Sequence, residues 1–106
     1  VVSYVLEAAE NAIRERGVFW VALSGGSLPA ILAAGLGAKG AGSEALAKWR
    51  VVFVDERIVP LDHADSNFNA CNQALFAKYG LSESGALGID GSLEPRACAE
   101  DYEARI

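Results

Sequence analysis

Apolar residues at the start of the chain recur with the period of an α-helix. The charged residues of this segment lie off the apolar stripe, whose members are Val2, Val5, Leu6, Ala9 and Ile13. Gly17 follows directly, and glycine is the residue that most often ends a helix. The pattern therefore predicts a first helix that ends at Gly17.

Two short runs without polar residues interrupt this helical spacing. Residues 18–23 and 51–54 are continuously apolar and rich in β-branched and aromatic side chains. Such runs are typical of strands that are covered on both faces, as in the parallel sheets of α/β proteins. We therefore predict two buried strands, one in each run.

The segment between the two strands begins with a helix signal. Ser27 is a suitable N-cap, and a proline in the first turn, here Pro29, is tolerated there. Residues 35–43 are rich in glycine and alanine and predict a loose connection. Residues 44–48 predict a short helical turn before the second strand.

A third helix is predicted after the second strand, with Ser66 as its cap and Gly80 at its end. Its buried face would carry Phe68, Cys71, Leu75 and Tyr79. Residues 87–90 predict a third, short strand, and Pro95 would open a last helix.

The predicted order of elements is α-β-α-β-α-β-α. Alternation of this kind favours a parallel sheet with right-handed crossovers. We therefore predict an α/β, Rossmann-like three-layer fold, and no interior linker or repeat divides residues 1–106 into more than a single domain.

Composition and charge narrow the classes of partner. The chain is 52% hydrophobic, 22% charged and carries a formal net charge of −5, which is unlike the clustered basic surface of a nucleic-acid-binding protein. An acidic chain is also unsuited to an anionic membrane surface. A small phosphate remains a suitable ligand if the local field at its site is positive.

Cysteine and histidine usage argues against a metal site. Cys71 and Cys98 do not form a CxxC pair, and His63 is the only histidine. Both cysteines lie in helix-like segments with apolar neighbours, which predicts two reduced core residues. This favours a reducing compartment, and we expect a cytoplasmic protein.

Polar clusters follow both predicted strands, namely residues 24–27 and residues 55–57. Ligands of open parallel sheets bind beyond the carboxyl ends of the strands. If the two strands are neighbours, both clusters face one crevice.

The first cluster is Ser24-Gly25-Gly26-Ser27. Its glycines allow a tight turn and a close approach to a ligand, and the helix that follows directs its free N–H groups to the same place. This favours a bound phosphate or carboxylate, although an ordinary strand-to-helix turn has the same composition. Neither a dinucleotide fingerprint nor a P-loop motif is present.

The second cluster is Asp55-Glu56-Arg57. Charges directly after a buried strand must be solvated or paired. Arginine suits a phosphate or carboxylate ligand, whereas a solvated loop with an internal ion pair is the simpler alternative. His63, in the polar loop that follows, is either a base or a residue that braces the loop.

Together these motifs resemble the 6-phosphogluconolactonase family. The resemblance rests on residues 23–27, on residues 54–60, and on His63, Ser66 and Asn67, which occur in the order and spacing of that family. Glucosamine-6-phosphate deaminases share the fold and similar motifs, but they place a tyrosine where this chain has Arg57.

The resemblance implies hydrolysis of 6-phospho-D-glucono-1,5-lactone to 6-phosphogluconate in the oxidative pentose phosphate pathway, without a metal or organic cofactor. The expected partner is a small phosphosugar lactone, with no nucleic acid and no membrane. Asp55 and Arg57 are expected to be catalytic. The expected substrate-binding residues are Ser24, Gly25, Gly26, Ser27, Asp55, Arg57, His63, Ser66 and Asn67.

The chain departs from the family in one respect. Family members carry a catalytic histidine in a later Asp-Gly-His-type motif, which does not occur in these residues. We therefore expect the chain to be the N-terminal part of a longer phosphogluconolactonase domain. Two alternatives stay open: a non-catalytic phosphosugar-binding fragment, and an enzyme that resembles glucosamine-6-phosphate deaminase.

Overall fold

The computed structural model describes residues 2–24, 26–81 and 85–106. Its elements in chain order are α1 (Val2–Arg16), β1 (Phe19–Leu23), α2 (Leu28–Ala38), β2 (Trp49–Phe53), α3 (Asn67–Cys71), a π-helical turn (Asn72–Phe76), α4 (Ala77–Tyr79) and α5 (Pro95–Arg105). In the part of the chain that is described, no helix has both the length and the apolar character that a membrane span requires.

Strands β1 and β2 pair in parallel, with Phe19 opposite Trp49 and Leu23 opposite Phe53. This confirms the predicted parallel α/β architecture. One face of the sheet packs on α1, α2 and the third helix, which α3, the π-helical turn and α4 form together over residues 67–79. The buried cluster there contains Leu23, Leu32, Trp49, Val51, Phe53, Phe68, Leu75 and Phe76. The opposite face of β2 packs on α5 through a smaller cluster, in which Cys98 and Tyr102 meet Val52.

The predicted covering of β1 on both faces is wrong for the described residues. Trp20 is 55% exposed, and Ala22 on the same face is exposed as well. The reason is the position of α5, which packs against Val52 of β2 and leaves the outer face of β1 open. The apolar run indicated a strand correctly but not how much of it is covered.

The predicted third strand at residues 87–90 is also wrong, because these residues form no strand. A single parallel bridge joins Val51 to Ala86, with Leu87 N donating to Val51 O at 2.8 Å. At the next position, Phe53 N donates to the Tyr102 hydroxyl at 3.0 Å, and that hydroxyl donates to Leu87 O at 2.5 Å. The tyrosine hydroxyl thus occupies the place of the next ladder hydrogen bond.

Helix boundaries agree with the sequence patterns except in α2. α1 is followed by Gly17 at φ +82°, and Gly80 at φ +70° ends the third helix. However, α2 runs through Ala38, so the loose connection predicted from residue 35 is wrong there. Gly35 lies inside α2, and a Cβ at this position would lie 2.5 Å from Cγ1 of Val2 in α1. It permits close packing of two helices rather than a break.

Candidate functional site

The carboxyl ends of β1 and β2 bring the two polar clusters together. Val54 N donates to Leu23 O at 2.8 Å, so the two segments remain hydrogen-bonded just beyond the end of β2. The next residues are Ser24 and Asp55, and Ser24 Oγ donates to Asp55 Oδ1 at 2.6 Å. Both residues are exposed. The crevice predicted from strand order therefore holds a hydroxyl–carboxylate pair.

The loop after β1 leads into α2 without a side-chain cap. Gly26 has φ +97°, which favours glycine. Ser27 is exposed, and its hydroxyl makes no capping hydrogen bond, although its carbonyl accepts from Ile31 N at 3.0 Å. Gly25, the remaining predicted residue of this loop, lies outside the described residues. Among the described residues, no anionic or hydroxyl side chain caps the positive end of α2.

Glu56 has a role that the sequence reasoning missed. Its carboxylate accepts from Asn67 N at 2.6 Å, Phe68 N at 2.8 Å, Arg57 N at 2.9 Å and Ser66 Oγ at 3.3 Å. Two of these donors are the first backbone N–H groups of α3, which have no partner within their own helix. Glu56 therefore binds the end of β2 to the start of α3. Glu56 precedes the predicted N-cap Ser66 by ten residues, so the local sequence around either residue gives no signal of this contact.

Ser66 and Asn67 are both buried, at 2% and 8% exposure. Ser66 Oγ accepts from Asn69 N at 3.2 Å, so the predicted cap of the third helix is confirmed. Asn67 Nδ2 donates to Asp55 O at 3.0 Å and lies 3.5 Å from Asp55 Oδ1. The Ser66 side chain thus contacts Glu56 and Asn69, and the Asn67 side chain contacts Asp55.

Arg57 is exposed, and its backbone N–H donates to Glu56. No acceptor within the described ranges pairs with its guanidinium group. The internal ion pair that was the simpler alternative for this cluster is therefore not formed by Arg57 in the described residues. Its positive charge is available to an anionic ligand.

His63 braces the loop that leads to α3. Its Nδ1 accepts from Asp65 N at 2.9 Å, and its carbonyl accepts from Asn69 Nδ2 at 3.2 Å and from Ser66 N at 3.0 Å. Because Nδ1 is an acceptor here, the proton of the neutral ring is on Nε2. The lone pair of Nδ1 is therefore engaged within the loop in this arrangement.

Cys71 lies beneath the crevice, with its Sγ 3.8 Å from Ser24 O. Burial, followed by the negative charge of Glu56, raises the pKa of the Cys71 thiol to about 11. The protonated thiol is a poor nucleophile at neutral pH. Over the described residues, no three His, Cys, Asp or Glu side chains are grouped closely enough to hold a metal ion.

A groove of about 400 Å³ extends from the crevice along α5. Asp55 and Glu56 line its polar end. Its other walls are mainly apolar and include Phe53, Val54, Ile58, Cys98, Tyr102 and Ile106. The carboxyl edge of the sheet thus carries an oriented carboxylate at Asp55, an exposed arginine two residues later whose guanidinium group pairs with no described acceptor, and a start of α2 whose Ser27 hydroxyl makes no capping hydrogen bond.

The relatives of this chain are consistent in their names. It is 41% identical to the "Probable 6-phosphogluconolactonase" of Schizosaccharomyces pombe, over 98% of this chain and 42% of that protein. It is likewise 41% identical to the 6-phosphogluconolactonase of Rattus norvegicus, over 86% of this chain and 36% of that protein. The chain therefore spans less than half the length of these curated relatives.

Solved structures give the same result. The 6-phosphogluconolactonase of Thermotoga maritima superposes with a TM-score of 0.78 at 27% identity, over 97% of this chain and 46% of that one. The enzyme of Trypanosoma cruzi gives a TM-score of 0.78 at 27% identity, over 98% and 43% of the two chains. A family model described as "Glucosamine-6-phosphate isomerases/6-phosphogluconolactonase" matches residues 1–106. The chain belongs to this family of glucosamine-6-phosphate isomerases and 6-phosphogluconolactonases.

Proposed function

We propose that the strand-end crevice holds a phosphosugar lactone and serves the hydrolysis of 6-phospho-D-glucono-1,5-lactone to 6-phosphogluconate. In that reaction water adds to the lactone carbonyl, the ring C–O bond breaks, and a carboxylate and a hydroxyl group form. The observation that carries the proposal is the Ser24–Asp55 hydrogen bond at 2.6 Å, with the exposed Arg57 two residues after Asp55 in the chain. The named relatives support the choice of substrate.

The anionic parts of the substrate and product need positive partners. The guanidinium group of Arg57, which pairs with no acceptor in the described part of the chain, is one partner, since arginine binds phosphate and carboxylate in a bidentate manner. The uncapped start of α2, with Gly26 and Ser27, is the other, because its N–H groups and dipole favour an anion. The start of α3 is already occupied by the Glu56 carboxylate. Phosphate is therefore directed to the loop after β1.

Asp55 is suited to orient a sugar hydroxyl group or the attacking water. Ser24 and Asn67 both approach its Oδ1. No donor in the described residues reaches Oδ2. This second oxygen can accept a hydrogen bond from the ligand without breaking a contact of the protein.

A second candidate function has specific support, namely phosphosugar binding without hydrolysis. Hydrolysis needs a base near neutral pKa, and the only histidine of the chain has its Nδ1 engaged with Asp65 N at 2.9 Å. On this reading, residues 1–106 form one α/β unit that supplies the substrate-holding part of a longer lactonase domain. The two free, buried cysteines support a reducing, cytoplasmic location for either function.

The test compares acid release from fresh 6-phosphogluconolactone, with the chain present, against the spontaneous rate. Acceleration that disappears in Asp55→Ala supports hydrolysis by these residues. No acceleration, together with binding of 6-phosphogluconate that is lost in Arg57→Ala, favours the binding function. Arg16→Ala is the matched control. This arginine is the last residue of α1 and precedes the amino end of β1, whereas the crevice lies at the carboxyl end of that strand. If the chain neither accelerates hydrolysis nor binds 6-phosphogluconate, the proposal is refuted. Amine release from glucosamine-6-phosphate would instead indicate a deaminase.

A further inference from the structure

We infer that Asn67 is a positioning residue that holds the Asp55 side chain in one orientation, in which one carboxylate oxygen is engaged by the protein and the other is offered to the ligand. This inference rests on the proposed function, because it concerns the same crevice. It assigns Asn67 a different role from the one expected from the family resemblance, in which Asn67 contacts the substrate itself.

The first reason is the burial and direction of the Asn67 side chain. The residue is only 8% exposed, so its amide offers little surface to a ligand. Its Nδ2 group carries two hydrogens, and two acceptors lie within reach, Asp55 O at 3.0 Å and Asp55 Oδ1 at 3.5 Å. The amide therefore holds both the backbone and the carboxylate of one residue.

The second reason is the asymmetry of the Asp55 carboxylate. Ser24 Oγ donates to Oδ1 at 2.6 Å from the side of β1, and Asn67 approaches the same oxygen from the side of α3. Rotation of the carboxylate away from this position would break both contacts. Oδ2 stays the oxygen that a ligand can use.

The third reason is that Asn67 is itself held in place. Its backbone N–H donates to Glu56 Oε1 at 2.6 Å, and the same carboxylate accepts from Phe68 N and Ser66 Oγ. Asn67 is the first residue of α3, directly after the Ser66 cap. A side chain that starts from so constrained a backbone loses little further entropy when it orients Asp55.

The experiment first measures the three-bond couplings that report χ1 of Asp55 by NMR, without any ligand. We expect a single rotamer in the unaltered chain and averaged couplings in Asn67→Ala. Asn69→Ala is the matched control, because this residue lies in the same helix and its amide bonds to His63 O. A single Asp55 rotamer that persists in a folded Asn67→Ala chain would overturn the inference. Asn67→Leu, which has a similar size but neither a side-chain donor nor a charge, provides the same test if the alanine variant fails to fold.

Ligand binding supplies the second readout. We expect 6-phosphogluconate to bind about tenfold more weakly to Asn67→Ala, because the hydroxyl contacts through Asp55 are lost. Inorganic phosphate, which does not use Asp55, should bind unchanged. An equal loss for both ligands would indicate a merely structural role and would contradict the inference. Absence of 6-phosphogluconate binding in the unaltered chain would instead refute the proposed function, and the coupling measurement would still decide the role of Asn67.

Discussion

Replacing Glu56 tests whether one carboxylate joins the end of β2 to the start of α3. In Glu56→Ala, the N–H groups of Asn67 and Phe68 lose their acceptor, and both residues are only 8% exposed. An unsatisfied buried donor costs about 1–3 kcal/mol. Because water can enter the vacated space, we take the lower half of the range for each group, which gives a destabilisation of about 2–4 kcal/mol.

The isosteric variant Glu56→Gln refines this prediction. Its carbonyl oxygen can accept from one of the two N–H groups, but its NH₂ group then faces the other donor. We therefore expect an intermediate loss of about 1–2 kcal/mol. Glu7→Gln is the control, because this glutamate is exposed on α1 and its replacement should change stability by less than about 0.5 kcal/mol.

Urea denaturation followed by far-ultraviolet circular dichroism measures these differences. For a domain of this size, a loss of about 3 kcal/mol lowers the melting temperature by roughly 12–20 °C. Amide hydrogen exchange should accelerate first at Asn67 and Phe68. A Glu56→Ala chain that is as stable as the unaltered chain would refute the reasoning, since the four hydrogen bonds of Glu56 would then contribute nothing.

Three further predictions concern the core. Tyr102→Phe should cost about 2 kcal/mol in a urea titration, because Phe53 N loses its buried acceptor; no change would mean that water replaces the hydroxyl. Burial raises the pKa of the Cys71 thiol from 9.0 to about 11, so the free energy of unfolding should fall as the pH rises between these values. Alkylation of Cys71 at pH 8.5 should be about a hundredfold slower in the folded chain than in the chain unfolded by urea. Equal rates would contradict this burial. Gly35→Ala should destabilise the chain by about 1 kcal/mol through contact with Val2, and Val2→Ala should reverse that effect in a double-mutant cycle; a stabilising single variant would show that the two helices yield easily.

The third helix shows what local sequence can predict. Ser66 at the cap, apolar residues at helical spacing and Gly80 at the end all act within one or two turns of the chain. Such signals need no knowledge of the remaining fold. The placement of Ser24 and Asp55 in one crevice was predictable for a related reason, since parallel strands direct their carboxyl ends to one edge.

Other features depend on contacts between residues far apart in sequence. The hydroxyl of Tyr102 lies between Phe53 and Leu87 and ends the pairing of the predicted third strand with β2. The sequence around residues 87–90 gives no signal of this contact. The exposure of Trp20 likewise depends on where α5 packs. Such outcomes are set by tertiary packing, which overrides local strand preference.

Binding of a phosphosugar at the carboxyl ends of β1 and β2 can be measured by ¹H–¹⁵N NMR of the chain titrated with 6-phosphogluconate. We predict saturable shifts at Ser24, Gly26, Ser27 and Arg57, which are lost in Arg57→Ala and retained in Arg16→Ala. Shifts confined to other surfaces, or a titration that Arg57→Ala leaves unchanged, would contradict it.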